Sequence, residues 1–264
     1  MIDSRRAALE RDGFVVLRGL VEDTILDEVA EVRASLDARG LARSRQVLYT
    51  HAEPLQPRPP LDALMDQWLS PHRQPAPNTA GVASRLRGLV SSLLDTEVVL
   101  FQDLLLCKRP GHRPFPWHQD APFWPVRASA GLVLWIPLAP SDLARGGLAF
   151  ARGSHAGGRR PAVDLHSGAA QHPHGELGFD ADAFELVTPT YARGDAVAFS
   201  PLVFHGSPMM RTTGERVAWS SAWLSADARW HHAQAPRHPM CARSIDGARL
   251  EDPLASIDEE PLPC

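Results

Sequence analysis

Residues 115–120 read Phe115-Pro116-Trp117-His118-Gln119-Asp120. On extended backbone a histidine and an aspartate two positions apart point to the same side, so both can reach one metal ion. A third ligand then has to come from elsewhere in the chain. The best candidate is His205, in Phe204-His205-Gly206-Ser207, which closes the apolar run Pro201-Leu202-Val203-Phe204. A polar ring in such a place needs a partner; a metal would supply one, and so would an ordinary hydrogen bond.

Two imidazoles and one carboxylate occupy one face of an octahedron and leave three positions open. This is the ligand set of non-haem Fe(II) oxygenases, whereas structural zinc sites are closed and rich in cysteine. Other histidines compete for the role. His51-Ala52-Glu53 lies beside a proline-rich stretch, and His172-Pro173-His174-Gly175-Glu176 lies in a Gly- and Pro-rich loop. Neither has the stiff frame a catalytic metal needs. On extended backbone His231 and His232 point to opposite sides, so they are read as surface residues.

Outward from the 118–120 triplet the chain is a series of short apolar runs separated by Gly and Pro. Val98–Lys108, Phe115–Trp117, Gly131–Leu138, Gly147–Phe150, Ala196–Ser200, Leu202–His205 and Arg216–Ser225 read as strands. Residues 152–183 have little periodicity and read as a long loop, either a lid at the pocket mouth or a plain surface insertion. The first third reads differently. It carries a charged helix at 4–12, a strand at Gly13–Leu17, and a helix at 22–38 with apolar positions Ile25, Leu26, Val29, Val32 and Leu36. A short helix at Leu61–Leu69 and an amphipathic helix at 81–94 follow. The expected fold is mainly β with flanking helices, a double-stranded β-helix (jelly roll, cupin-like). One domain spans 1–264: a helical layer about 1–95, a jelly-roll core about 96–226 and a C-terminal extension 227–264.

Composition bounds the function. The chain has 264 residues, and its 44% hydrophobic and 22% charged content is ordinary for a globular protein. A net charge of −4 carries no electrostatic footprint for nucleic acid. No apolar run approaches the roughly 18 residues of a membrane span. Three scattered cysteines, Cys107, Cys241 and Cys264, form no disulfide framework or Cys-x-x-Cys site. A cytoplasmic protein, monomer or homodimer, acting on a small molecule is expected.

Arg216 follows a polar turn, 211–215, that should fold its strand back beside the His205 strand. It lies in phase with Ala218, Ser220 and Ala222, a face of small residues with room for a ligand. A guanidinium fork matches a carboxylate, and Ser207 could add a hydroxyl. The competing reading is a surface arginine paired with Glu215 or another acid.

Together, His118-Gln119-Asp120, Gly147-Leu148-Ala149-Phe150 with Gly153-Ser154-His155, His205-Gly206-Ser207 and Arg216 resemble the phytanoyl-CoA dioxygenase family. So do the opening Asp12-Gly13-Phe14-Val15-Val16-Leu17-Arg18-Gly19 and Lys108-Arg109-Pro110-Gly111. The resemblance covers roughly residues 8–225. It implies an Fe(II)- and 2-oxoglutarate-dependent dioxygenase that consumes O2 and takes ascorbate as an in vitro reductant. His118, Asp120 and His205 would ligate iron, and Arg216 with Ser207 would hold the distal carboxylate of 2-oxoglutarate. Gln102 and Lys108, in phase on one strand, are further candidates for cofactor contact, and His155 belongs to a structural turn. The sequence departs from many such enzymes in having Ala218, not a hydroxyl residue, two places after the arginine.

Halogenases of this class carry a small residue where Asp120 stands, so hydroxylation of an unactivated C–H bond is expected. The substrate would be a small metabolite or natural-product intermediate, with an acyl-CoA also possible. Trp117, Phe123, Trp124 and Arg127 are assigned to the substrate side. Arg113, Arg127 and the arginines of 152–160 could meet an anionic substrate group, while Trp135 and Trp223 read as core. The alternative is a metal-binding jelly-roll module or sensor that uses no 2-oxoglutarate; such a module has no need of Arg216.

Overall fold

A computed structural model describes residues 2–39, 66–69, 73, 76–162, 180–236 and 238–255. Three helices precede most of the strands: α1 (Ile2–Asp12), α2 (Asp23–Ala38) and α3 (Ala80–Leu94). The apolar stripe of α2, Ile25, Leu26, Val29, Val32 and Leu36, is buried along its whole length. In α3 the buried side chains Val82, Leu86, Val90 and Leu93 recur at helical spacing.

Twelve strands follow in chain order: β1 (Phe14–Leu17), β2 (Asp66–Leu69), β3 (Val98–Lys108), β4 (Phe115–His118), β5 (Val126–Arg127), β6 (Gly131–Pro137), β7 (Ala149–Ala151), β8 (Leu186–Val187), β9 (Ala196–Phe199), β10 (His205–Ser207), β11 (Arg216–Ser225) and β12 (Arg229–Trp230). Six form one sheet in the order β1-β9-β6-β11-β3-β2, four form a second in the order β4-β10-β7-β8, and β12 pairs with β5. This is the jelly roll, with its helices on one side.

Each large strand sorts its side chains between two cores, because successive residues point to opposite faces. Leu17, Leu134, Trp219 and Trp223 face α1–α3 and pack with Leu26 and Leu86. Phe14, Phe101, Trp135, Ala218 and Phe199 face the other way and pack with Phe150 of the smaller sheet. The space between the two sheets is therefore closed by aromatic rings except where polar groups line it. Leu86 and Trp219 are fully buried, and truncating Leu86 to alanine costs on the order of 2–5 kcal/mol.

Three expectations change. Residues 66–69 are a strand, not part of a helix: their backbone adds to the edge of β3, with Asp66 opposite Cys107 and Leu69 opposite Leu104. Pairing with a neighbouring edge outweighs the weak local helix signal there; residues 61–65 lie outside the described ones. The strand expected at 202–205 begins at His205, because residues 200–203 form a turn closed by Val203 N donating to Ser200 O. The Arg216 strand does not pair with the His205 strand. β11 lies between β3 and β6 in the larger sheet, and β10 between β4 and β7 in the smaller one. The candidate lid at 152–183 falls largely outside the described residues, which stop at 162 and resume at 180.

Candidate active site

The pairing of β4 with β10 sets His118 directly opposite His205, and Ser207 opposite Phe115. Two steps along β10 thus span three along β4, so β4 carries a bulge. The bulge turns both Phe115 and His118 toward the interior. Gly206 makes this approach possible, since a Cβ there would stand 3.1 Å from Phe115 O.

His118 Nδ1 lies 2.9 Å from Pro116 O, and His205 Nδ1 lies 3.1 Å from Val203 O. A carbonyl only accepts, so each Nδ1 donates to it and each Nε2 is the ring nitrogen left facing the site. Both Nε2 atoms face one carboxylate oxygen: Asp120 Oδ1 is 3.4 Å from His118 Nε2 and 3.8 Å from His205 Nε2. One ligand atom from each of the three residues lies within 4.8 Å of the others. Burial and the nearby His118 push the His205 imidazole down to about 4, so its nitrogen is unprotonated at neutral pH. Burial alone would raise the Asp120 carboxyl, but His205 and His118 hold it below its usual value. Two preoriented imidazoles beside a carboxylate suit a divalent metal.

Each ligand is fixed from behind. Phe115, Phe150 and Phe199 crowd the two rings, with Phe199 4.7 Å from His205 and Phe115 4.8 Å from His118 between centroids. Gln119 is buried; its Nε2 donates to Leu202 O and Gly158 O, and its Oε1 accepts from Arg160 N at 2.7 Å. Asp120 N and Ala121 N both donate to Pro201 O. Phe204 N, next to His205, donates to Ser154 Oγ at 2.9 Å. The 153–155 turn is in turn locked to the N-terminal segment, with Gly153 N donating to Asp12 O and His155 Nε2 to Glu10 O. Gly13 has φ +82°, and a Cβ on it would lie 2.6 Å from His155 Nδ1, so only glycine fits that approach.

The second half of the site is a buried cluster of cations. On the inward face of β3, Lys108 stands opposite Arg216 of β11. Arg216 is 4% exposed and Lys108 not at all. Ser207 joins them: its Oγ donates to Gly146 O at 2.7 Å and lies 3.1 Å from Lys108 Nζ and 3.5 Å from Arg216 Nη2. Arg216 Nη2 also donates to Gly146 O. Arg216 Nε and Nη1, Trp135 Nε1 and Tyr191 OH are buried without a hydrogen-bond partner among the described residues. Burial pushes Arg216 down to about 10; burial and then Arg216 push Lys108 down to about 7. Glu215, the acid next to Arg216 in the chain, instead accepts from Arg33, Arg109 and Cys107.

Two buried cations with four idle polar groups are costly unless an anion joins them, and a carboxylate fits this donor set. Trp135, read from the sequence as core, has its ring face 5.4 Å from the Arg216 guanidinium carbon. Tyr191, whose ring lies 5.1 Å from that of Trp135, carried no signal in the sequence.

The remaining sequence-derived candidates divide. Phe123 and Trp124 are buried in the inner core, Phe123 edge-on to His118 at 6.2 Å and Trp124 5.4 Å from Phe101. Arg127 is exposed on β5. Trp117 is a correction: alternation sends it to the outer face of the smaller sheet, where it packs against Ala151 and Phe204. Gln102 does share the inward face of β3 with Lys108, but it sits opposite Ala222. Six residues of strand separate the two by roughly 20 Å, so they cannot touch one carboxylate together. Trp219 and Trp223 face the helices, and Trp219 Nε1 donates to Asp103 at 2.9 Å. The competing pairs at 51–53 and 172–176 lie outside the described residues. His232 Nε2 lies 2.9 Å from Ser244 Oγ, away from the triad.

Comparison with known proteins agrees with this geometry. The chain is 32% identical over 133 residues to the peroxisomal phytanoyl-CoA dioxygenase of Rattus norvegicus, a match covering 49% of this chain and 39% of that protein. Its fold is similar to the non-haem α-ketoglutarate-dependent carbocyclase SnoK from nogalamycin biosynthesis, with TM-score 0.75, 16% identity and coverage of 94% and 92% of the two chains. It is also similar to the epimerase SnoN in complex with Fe3+, α-ketoglutarate and nogalamycin RO, with TM-score 0.69, 22% identity and coverage of 97% and 96%. No described helix is long and apolar enough to cross a membrane. The sequence profile of the phytanoyl-CoA dioxygenase (PhyH) family matches residues 9–218, so the chain belongs to that family of non-haem iron, 2-oxoglutarate-dependent oxygenases.

Proposed function

We propose that this chain hydroxylates an unactivated C–H bond of a small metabolite or natural-product intermediate. The observation that carries the reading is the pairing of two features across one interior. A His-Asp-His triad lies at one point, and two buried cations with no carboxylate bonded to them among the described residues lie at another. A sensor or storage module needs the first feature but not the second.

His118, Asp120 and His205 would hold iron. Arg216 and Ser207 would hold the distal carboxylate of 2-oxoglutarate, with Lys108 as the second positive charge. Trp135 Nε1 and Tyr191 OH supply the donors that the absent hydroxyl at Ala218 does not. Iron and 2-oxoglutarate, when bound, supply the oxidising chemistry: O2 is consumed, 2-oxoglutarate becomes succinate and CO2, and one oxygen atom enters the substrate. The chain's own part is placement and exclusion of water. Ser207 orients the guanidinium through Gly146 O, and the Phe115, Phe123 and Phe199 rings wall off the imidazoles. Gln102, down the same strand face, is placed with Phe123 and Trp124 on the substrate side.

The test is a metabolite screen with Fe(II), ascorbate and O2, scoring substrate-stimulated succinate and the mass of the product. Gain of one oxygen is expected. A product isomeric with its substrate, or two hydrogens lighter, would replace hydroxylation by the kind of outcome named for SnoN or SnoK. A protein that binds iron but no 2-oxoglutarate would overturn the reading.

A further inference from the structure

A groove of about 700 Å³ is lined by Ala121, Trp124, Arg127, Arg159, Pro201 and Leu202 among others, though by none of the three triad residues themselves. Ala121 follows the ligand Asp120, and Pro201 O holds the backbone of both. Three arginines reach this groove, Arg6, Arg127 and Arg159, against one acid, Glu10. Arg6 is already paired with Asp95. Arg127 and Arg159 have no acidic partner among the described residues. Arg159 Nη2 donates to Pro122 O at 3.3 Å, and partial burial followed by the charge of Arg127 makes its own charge harder to keep. The crowding extends further: Arg127 on β5 stands directly opposite Arg229 on β12, which bridges Arg249. Like charges opposite one another across strands are destabilising, and this row sits on a chain whose net charge is −4.

We propose that Arg127 and Arg159 form the recognition site for an oxyanion group, phosphate or carboxylate, on the substrate. Resting on the oxygenase reading above, this narrows the substrate class to small acidic molecules. Two guanidinium forks lining one groove match the oxygens of such a group, which would offset their mutual repulsion. Pro122 lies two residues beyond Asp120, at most about 7 Å along the chain, which sets an anion on Arg159 on the order of 10 Å from the triad. The oxidised carbon then lies several bonds from the acidic group.

The test is calorimetric titration of the Mn(II) protein, loaded with one equivalent of 2-oxoglutarate under nitrogen, at low ionic strength. Inorganic phosphate is the probe in one arm and acetate in the other. Saturable binding of at least one anion is expected, weakened by about tenfold or more in Arg159→Ala and in Arg127→Ala. The preferred anion then distinguishes a phosphate-bearing from a carboxylate-bearing substrate. Each variant's 2-oxoglutarate affinity is measured in parallel and should stay at the parent value, because neither arginine touches the Arg216 cluster. No saturable binding by either anion overturns the proposal, as does binding that survives both substitutions. Anion binding that displaces 2-oxoglutarate and is lost only in Arg216→Ala assigns it to the Arg216 cluster and overturns the proposal also. A parent that fails to bind 2-oxoglutarate overturns the oxygenase reading instead.

Discussion

Affinity for 2-oxoglutarate should depend on pH through Lys108, and Arg216 should control where. In the free protein Lys108 is pushed down to about 7, first by burial and then by the Arg216 charge. Only the protonated amine attracts a carboxylate, and a bound carboxylate in turn favours the proton. Affinity is therefore full below pH 7 and is lost as pH rises through about 7, by at most tenfold per unit for one proton. The total loss is bounded by one charge-assisted hydrogen bond, on the order of 1.5–3 kcal/mol, or roughly ten- to hundredfold. Lys108→Met should bind weakly at every pH and show no slope. Arg216→Ala should lose a similar factor outright, and its falling limb should move to higher pH, because the like charge that depresses Lys108 has gone. The assay is calorimetry on the Mn(II) form under nitrogen from about pH 6.5 to 9.5, a range above the His205 value. A parent affinity that is flat over this range, or an Arg216→Ala affinity equal to the parent's, would refute the assignment of these two cations to the cofactor.

Four further outcomes are expected. His118→Ala, Asp120→Ala and His205→Ala should each lose bound iron by elemental analysis, while His232→Ala keeps it; full activity with iron retained in any two of the three would remove the triad. Trp135→Phe keeps an aromatic ring beside Arg216 but deletes the idle N–H, so 2-oxoglutarate affinity should fall by a factor of roughly 2–10, about one hydrogen bond, and the smaller buried ring should also lower the melting temperature. Gln119→Ala removes three hydrogen bonds that tie residues 158–160 and Leu202 to the metal strand, and calorimetric melting should drop by roughly 5–10 °C. Asp120→Gly adds one net positive charge to a partly desolvated site. Its anaerobic Fe(II)–2-oxoglutarate form should respond to chloride more strongly than the parent, with most oxygenase activity lost; an unchanged chloride response together with parental activity would mean that Asp120 is no iron ligand.

The sequence by itself determined whatever depends on neighbours in the chain. The His118–Asp120 spacing puts two ligands on one side of a strand. The stripe Ile25, Leu26, Val29, Val32 and Leu36 specifies α2, and the alternation from Arg216 to Ala222 puts the guanidinium on a face of small residues. Only the tertiary structure decided what depends on which strands meet. It set His205 opposite His118, drew residues 66–69 into the edge of β3, and placed Arg216 in the sheet facing His205 rather than beside it. The bulge in β4 turned Phe115 inward beside His118, and the partners of β6 set Trp135, buried in the core as expected, against Arg216. Arg159 and Arg127 likewise line one groove although nothing in their local sequence relates them. Period and spacing are properties of a few consecutive residues, whereas sheet order and pairing arise from contacts between residues far apart in sequence.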